Sequence, residues 1–315
     1  MRDQNIDLGG NSMGYIDFPA DFPSFETMMS VIKKVFEKSW KVDLDIEDIN
    51  TWLKNFTGKF FNQEEEQRLA LWLLCNFTYY NDTEINQLCS VLFKKFIHTL
   101  MADYGLSSAK EVEDYINGLK FTSIGRPSES GGLILYHFRQ EAQLSIDCFI
   151  FPTSIAATES DIIVCIDDVM ISGGTAQRFF YQNKESFKGK KIYYLTLLSS
   201  NDALSKLNEL NIQVISCAVL DERNRAFSEE SLCFFKYPSL REPTKIMAEG
   251  YGKLIEPKKA LGHRDGQYCF GFSYNIPNNS LPIFWSSSNG WNPIFYRKEK
   301  YQNAKQAKRE YDFFI

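Results

Sequence analysis

Apolar residues recur at helical spacing through the first 119 residues of the chain, and polar caps separate the apolar stretches. Ser24, for example, precedes an early glutamate and a run of helically spaced apolar residues, which is typical of a helix start. The pattern predicts helices over residues 24–36, 45–53, 62–79, 84–103 and 109–119. The short loops between them predict a helical bundle. No catalytic constellation is visible there, so the pattern favours a scaffold or partner-docking module.

The pattern changes at Lys120, where short apolar runs begin to alternate with helical segments. Predicted strands cover residues 121–124, 145–151, 162–166, 191–198 and 212–220, and predicted helices cover 133–140, 174–182 and 202–210. This alternation predicts an α/β fold with a doubly wound, mostly parallel sheet. Ligands of such sheets bind beyond the carboxyl ends of the strands. The rule points to residues 125–132, 167–175 and 221–225.

The chain is expected to divide into three parts. Residues 1–119 form the helical module and residues 120–225 form the α/β core. Residues 226–315 form a mixed C-terminal extension that completes the α/β domain, because Pro, Asn and Gly there mark turns around short strands. The charged tail from Arg297 is expected to be a surface helix.

Composition narrows the classes of function. The formal net charge of -5 over 315 residues argues against direct nucleic-acid binding, which relies on basic side chains. No apolar run approaches the roughly 20 residues that span a bilayer, and the first residues show no secretory signal. The seven cysteines never occur as Cys-x-x-Cys, which favours buried reduced thiols over a zinc site. We therefore expect a cytoplasmic protein without membrane association.

The stretch from Ile162 to Thr175 carries the most chemistry. An apolar strand leads to Asp167 and Asp168, and a Ser-Gly-Gly-Thr turn then opens a helix. Glycines let backbone amides approach a ligand, and a helix N-terminus attracts anions. Paired carboxylates accept hydrogen bonds from vicinal sugar hydroxyls or hold Mg²⁺ indirectly through the sugar. Together these features predict a site for a ribose 5-phosphate, with no direct metal ligand set.

This stretch resembles the phosphoribosyl-diphosphate (PRPP) signature of type I phosphoribosyltransferases. The resemblance implies that Asp167 and Asp168 engage the ribose hydroxyls and that PRPP or a nucleotide is the substrate, with Mg²⁺ as cofactor. It implies a 5-phosphate site at Ser172, Gly173, Gly174 and Thr175. By position after the first strand, it also implies a pyrophosphate loop that contains Gly125, Arg126, Ser128, Glu129 and Ser130.

Residues 120–290 also resemble a narrower group, the phosphoribosyltransferase-like effectors of bacterial anti-phage systems. The resemblance rests on the Pro-Ser-Glu-Ser-Gly turn, the Asp-Asp to Ser-Gly-Gly-Thr stretch and the terminal Tyr-Asn-Ile-Pro-Asn-Asn-Ser block. It implies a toxic effector that works with companion defence proteins, which in some members include a reverse transcriptase complex.

Two features depart from the type I pattern. Ile171 stands where several transferases carry an acid or small polar residue, and it cannot exchange a proton. Only about ten residues separate the predicted strands 145–151 and 162–166, which leaves little room for a mobile loop. A departing pyrophosphate would then be neutralised by Mg²⁺ and Arg126. These departures keep open a non-catalytic PRPP or nucleotide sensor, which would act as a regulatory subunit, and a helical adaptor that binds no ligand.

Several polar residues at the same edge are candidates for the acceptor side of the reaction. They are Asp221, Arg223, His263, Asp265 and Asn278. His263 titrates near neutrality and would serve as a general acid or base. The competing interpretation is a solvated charged loop after the last strand and turns held by their own side chains.

Overall fold

The N-terminal region is helical, as predicted. The computed structural model describes residues 15–125 and 129–297. The helices of this region are α1 (Phe25–Val35), which continues into a π-helical turn (Phe36–Trp40), α2 (Ile46–Leu53), α3 (Gln63–Cys75), α4 (Asp82–Tyr104) and α5 (Ala109–Asn117). The predicted Ser24 cap of α1 is confirmed, since its side chain accepts a hydrogen bond from the Thr27 amide.

One predicted helix is too long. The prediction of 62–79 as a single helix is wrong at its end, because α3 stops at Cys75 and β1 (Thr78–Tyr80) follows. This strand pairs in parallel with β6 (Phe270–Phe272), nearly two hundred residues further along the chain. Local periodicity carries no information on so distant a partner, whereas the β-branched and aromatic residues of β1 suit a strand.

The central sheet is parallel throughout. Its strands are β2 (Lys120–Ser123), β3 (Ile162–Met170), β4 (Lys191–Ser200) and β5 (Gln213–Leu220), which lie side by side in that order within the described residues. The connecting helices are α6 (Ser130–Ala142), α7 (Gly174–Gln182) and α8 (Asn201–Asn208), and α9 (Arg241–Ile255) follows β5. The predicted α/β fold is confirmed.

Helices cover both faces of this sheet. Alternate residues of β3 point to opposite faces. Val164 and Ile166 pack in one apolar cluster with α4 and α6, whereas Ile163 and Cys165 pack in another with α7 and α8. Burial on both faces explains why the first half of β3 is a continuous apolar run rather than an alternating one.

The predicted strand 145–151 is wrong. Ser145 starts a short 3-10 turn (Ile146–Cys148), and only Phe149 forms a parallel bridge, to Phe121 of β2. The amide of Ile150 donates to the Phe121 carbonyl at 2.9 Å. The bridge lies on the edge of β2 away from β3. The segment that follows β2 therefore pairs on one side of this strand and β3 pairs on the other, which makes the place between β2 and β3 a topological switch point. In doubly wound folds a ligand cleft opens at this switch point.

The N-terminal helices and the C-terminal segment have a common apolar interior, which we call the shared core. It joins buried residues of α1–α3 with buried residues of 226–295. The Trp52 indole donates to the Ile283 carbonyl at 2.7 Å, and the Tyr251 hydroxyl donates to the buried Glu66 carboxylate at 2.6 Å. The boundaries 1–119, 120–225 and 226–315 stay a prediction.

Helix α4 packs on the central sheet and not in a bundle with α1–α3, so the predicted bundle is wrong for this helix. The ring of Phe96 meets that of Tyr193 in β4 edge-on, with centroids 5.4 Å apart. Among the described residues, no helix combines the length and apolar character that crossing a bilayer requires. The predicted tail helix falls, from residue 298 onward, outside the described residues.

Candidate functional site

Strand β3 places two carboxylates on opposite sides of the sheet edge. The prediction that the strand ends at Ile166 is wrong, since β3 runs on to Met170 and includes both aspartates. Because side chains alternate along a strand, Asp167 follows Cys165 toward α7 while Asp168 follows Ile166 toward the opposite face. A ligand at this edge can therefore meet one carboxylate from each side.

Asp167 is held from two directions. Its Oδ1 accepts a hydrogen bond from the Asp168 amide at 3.0 Å, and its Oδ2 accepts one from the Tyr194 hydroxyl at 2.8 Å. Burial, and next the neighbouring carboxylate of Asp168, raise the pKa of Asp167 well above its ordinary value, against a lowering by Tyr194. Asp167 therefore takes up a proton more easily than an ordinary aspartate does.

Asp168 is buried and is held by a residue from the far end of the chain. Its Oδ1 accepts from the Val169 amide at 2.7 Å, and its Oδ2 accepts from the Tyr274 hydroxyl at 3.1 Å. Tyr274 lies just beyond β6, and its ring stacks on that of Phe272 with centroids 5.3 Å apart. The C-terminal segment thus fixes the orientation of the second carboxylate.

The Ser-Gly-Gly-Thr turn opens α7 as predicted. Gly173 precedes the helix with φ 68°, a left-handed conformation that glycine adopts without steric cost. Gly173 has no side chain with which to cap the helix, and the Gly174 amide donates to the Ser172 hydroxyl at 3.4 Å. The Lys206 ammonium of α8 donates to the Ser172 carbonyl at 3.1 Å and so holds the turn to α8. The Thr175 and Ala176 amides of the first turn, which have no side-chain cap among the described residues, are thus available to an anion.

A second helix begins beside the two carboxylates. The prediction that helix 133–140 starts at Leu133 is wrong, because α6 begins at Ser130. A Cβ atom at Gly131 would lie 2.8 Å from the Ile124 carbonyl oxygen and 3.6 Å from Asp167 Oδ1, so only glycine permits this approach. Gly125 has φ 84° and turns the chain between β2 and this helix. Arg126 and Ser128 of the predicted pyrophosphate loop lie outside the described residues.

These elements line one cleft of about 770 Å³. Of the residues predicted from the sequence, those that line it are Gly125, Glu129, Ser130, Asp167, Asp168, Ser172, Gly173, Thr175, His263 and Asn278. Gly174 lies in the same turn, as the first residue of α7. The volume is that of an ordinary small-molecule site.

A second cavity of about 410 Å³ adjoins the cleft, and Ile171 and His263 line both. Asp221 and Asp265 line the second cavity. Arg223 does not line this cavity. Its side chain is 63% exposed, and its guanidinium lies 2.6 Å from the Asp221 carboxylate. That hydrogen bond lowers the pKa of Asp221, so the Asp221 carboxylate is already engaged within its own turn.

His263 stands at the partition between the two cavities. Partial burial, then the charges of Lys259 and Arg264, lower the pKa of its imidazole. The neutral ring is therefore favoured at pH 7, and it can accept a proton.

Sequence reasoning missed several residues that the fold brings to the site. Tyr194 and Tyr274 bind the two carboxylates, Arg178 of α7 lines the cleft, and Arg264 lies beside the start of α7. A usable signal existed only for Arg178, which lies one helical turn after Thr175 on the same face. The others reach the site through strand order and long-range packing.

The side chains at this site fit Mg²⁺ only if a bound ligand supplies further oxygen atoms to the ion. Among the described residues, no three His, Cys, Asp or Glu side chains are grouped so as to hold a metal ion. Two carboxylates at one edge still match the usual arrangement, in which Mg²⁺ takes one or two carboxylates together with substrate phosphates and waters. Asp167 and Asp168 are the residues that would hold it.

The parallel sheet, with a glycine turn and a helix start beside paired carboxylates, is that of a phosphoribosyltransferase-like α/β protein. The PRTase-CE family model matches residues 49–297, so the chain belongs to the PRTase-CE family. The fold and family suggest a PRPP-related transferase.

The solved structures include a match to orotate phosphoribosyltransferase from Aeropyrum pernix, with a TM-score of 0.30 and 13% identity. The match covers 44% of this chain and 72% of that one. No curated protein matches the chain significantly.

Proposed function

We propose that the protein binds PRPP or a nucleotide and cleaves or transfers at the anomeric carbon of its ribose 5-phosphate. One observation carries the proposal. Two carboxylates and the start of α7 face a single cleft at the switch point of the sheet. The two carboxylates suit the ribose hydroxyls, and the start of α7 suits the 5-phosphate.

In this proposal each element has one task. The first amides of α7, with the Ser172 and Thr175 hydroxyls, hold the 5-phosphate. Asp167 and Asp168 accept hydrogen bonds from the ribose hydroxyls, and their negative charge stabilises the positive charge that develops on the ribose as the anomeric bond breaks. Tyr194 and Tyr274 keep the two carboxylates in position.

The leaving and acceptor groups lie on either side of the sugar. Gly125, Glu129 and the first turn of α6 meet a departing pyrophosphate, together with Arg126 and Ser128. The second cavity, with Asp221 and Asp265, receives the acceptor or base, and neutral His263 at the partition takes a proton from it. Arg223 is exposed and paired with Asp221, so it acts by holding that residue.

Mg²⁺ belongs to the proposal because the departing group is highly charged. When bound, the ion neutralises phosphate charge in the leaving group. The proposed setting is anti-phage defence, where loss of PRPP or nucleotides would be toxic to the host. Companion proteins, including a reverse transcriptase complex, are proposed as the trigger, and the site is proposed to operate in the cytoplasm.

A second function, a non-catalytic sensor of PRPP or nucleotides, is favoured by Ile171. This side chain lines both cavities at the position nearest a transferred group, and it exchanges no proton. A sensor would also benefit from the shared core, through which the C-terminal segment that holds Asp168 contacts the N-terminal helices.

Turnover distinguishes the two functions. The purified protein is incubated with Mg²⁺ and either PRPP or a nucleotide mixture, and released pyrophosphate and free base are measured. An enzyme releases product, and Asp168→Asn lowers the rate by roughly 10- to 100-fold, since a charged hydrogen-bond partner is lost. Saturable binding with no product would support the sensor. No binding of any ribose phosphate would contradict both.

A further inference from the structure

The loop from Gly262 to Gln267 holds an unusual backbone at the edge of the site. Gly262 has φ 92°, and the non-glycine residues Arg264, Asp265 and Gln267 have φ of 54°, 54° and 57°. Left-handed conformations are unfavourable for such residues and persist where the surroundings enforce them.

The surroundings of this loop are tight. The His263 amide donates to the Asn278 carbonyl at 2.7 Å, and the Asn279 side chain donates to the His263 carbonyl at 3.0 Å. A Cβ atom at Gly266 would lie 2.5 Å from the Asn279 carbonyl oxygen. The loop is therefore held in a fixed position before any ligand arrives.

This backbone presents Arg264 to the start of α7. A guanidinium nitrogen of Arg264 lies 3.5 Å from the position that a Cβ atom would occupy on Gly174. Gly174 is the first residue of the helix. The absence of a side chain there leaves room for the guanidinium beside the amides.

Arg264 is exposed, and it lines the second cavity. Among the described residues, Arg264 makes no hydrogen bond or ion pair, whereas Arg225 nearby pairs with Glu222 at 3.0 Å and Asp265 at 3.3 Å. An exposed arginine that pairs with no carboxylate of the described residues, beside the first amides of α7, adds full positive charge to the partial charges of that helix end.

We propose that Arg264 is a phosphate-binding residue that selects ligands carrying a terminal 5-phosphate dianion over their unphosphorylated counterparts. The inference rests on the proposed function and adds to it, because it assigns a charged side chain to a subsite otherwise made of backbone amides and the Ser172 and Thr175 hydroxyls. Arginine suits the role, since its planar fork binds two phosphate oxygens at once.

The test compares affinities of the full chain for ribose 5-phosphate with Mg²⁺, measured by calorimetry, and uses inorganic phosphate as a competitor. Arg264→Gln is expected to weaken ribose 5-phosphate roughly 10- to 100-fold and to weaken competition by phosphate in parallel, since one charged hydrogen-bonding group is lost. Arg264→Lys should recover part of the loss. Lys259→Gln is the matched control, because it removes another positive charge near His263, whereas the atoms nearest to a Cβ on Gly174 belong to Arg264 and Ser172.

A further variant separates binding from folding. Arg264→Gly removes the guanidinium and also relieves the left-handed backbone, so its melting temperature should equal or exceed that of the wild type while affinity falls. Wild-type affinity in Arg264→Gln would overturn this proposal alone. A melting temperature that falls in both Arg264→Gln and Arg264→Gly would assign the residue a structural role and overturn it too. Failure of the wild type to bind ribose 5-phosphate would overturn the proposed function as well.

Discussion

Asp167 lowers the stability of the folded protein above pH 3.8, although it belongs to the candidate site. Its carboxyl is buried beside a second carboxylate, so its pKa is raised in the folded protein while the unfolded chain keeps the ordinary value of 3.8. Above that pH the unfolded chain releases a proton that the folded protein retains, and stability falls as pH rises toward the folded pKa.

Asp167→Asn should therefore stabilise the protein at neutral pH. The gain in melting temperature over the wild type should be small near pH 3.8, grow as pH rises, and level off above the folded pKa of Asp167. Affinity for ribose 5-phosphate should fall roughly 10- to 100-fold, since a charged acceptor is lost. Thermal unfolding across pH and calorimetry provide the two readouts, and a gain that is independent of pH would contradict this account of Asp167.

Two adjacent tyrosines of β4, Tyr194 and Tyr193, provide a test variant and its control. The Tyr194 hydroxyl donates to Asp167 at the site, whereas the Tyr193 hydroxyl donates to Asp103 on the opposite face at 2.6 Å. Tyr194→Phe should weaken ribose phosphate binding by roughly 3- to 10-fold, the value of an ordinary hydrogen bond. Tyr193→Phe should change only the melting temperature. Equal losses of affinity in both variants would show that Tyr194 acts through folding and not through Asp167.

At the scale of elements, the turn that opens α7 depends on the conformation of one glycine. Gly173→Ala meets no close neighbour, since its Cβ would lie 3.5 Å from Ala203, so its cost is the left-handed backbone, about 1–2 kcal/mol. Gly189→Ala is the control, because Gly189 has φ 78° with open space around it and lies away from the cleft.

Both glycine variants should lose similar stability in denaturant titrations, but only Gly173→Ala should also lose phosphate affinity. Unchanged affinity in Gly173→Ala would remove the turn from the phosphate site.

Elements whose determinants lie close together in the sequence could be predicted. β3, its two aspartates and the start of α7 fall within fourteen residues, and the apolar run, the glycines and the spacing are all visible there. The segment 145–151 looks like a strand for the same local reasons, yet it contributes only one bridge. Its apolar residues satisfy a strand pattern, but tertiary packing places them in a 3-10 turn instead.

Tyr274 and Arg264 could not be assigned in the same way. Each lies about a hundred residues from the segment 162–175. The position of Tyr274 depends on the pairing of β6 with β1, and that of Arg264 depends on the hydrogen bonds that hold the loop from Gly262 to Gln267. Such contacts follow from strand order and long-range packing, which residue spacing does not encode.

At the scale of the whole molecule, the two ends of the chain stabilise each other. Every tryptophan of the sequence belongs to the shared core, and none lies in the central sheet. They are Trp40, Trp52, Trp72, Trp285 and Trp291. Tryptophan fluorescence therefore reports on the shared core, while hydrogen exchange of β3 and β4 reports on the sheet.

We expect one cooperative unfolding transition. β6 belongs to the segment that completes the shared core, and its side chains also pack in the sheet cluster, so loss of one core removes support from the other. In denaturant, the fluorescence midpoint should coincide with the midpoint for exchange of the β3 and β4 amides. Two separated midpoints would show that the shared core and the sheet fold independently.

The central claim is that one cleft binds a ribose 5-phosphate between two carboxylates and the start of α7. Calorimetric titration of the wild type and Asp168→Asn with PRPP in the presence of Mg²⁺ tests it most directly. The account predicts saturable binding of one PRPP per chain and roughly 10- to 100-fold weaker binding in Asp168→Asn, whose carboxylate is lost while its neighbours remain. Absence of saturable heat in the wild type, or equal affinity in the two proteins, would contradict it.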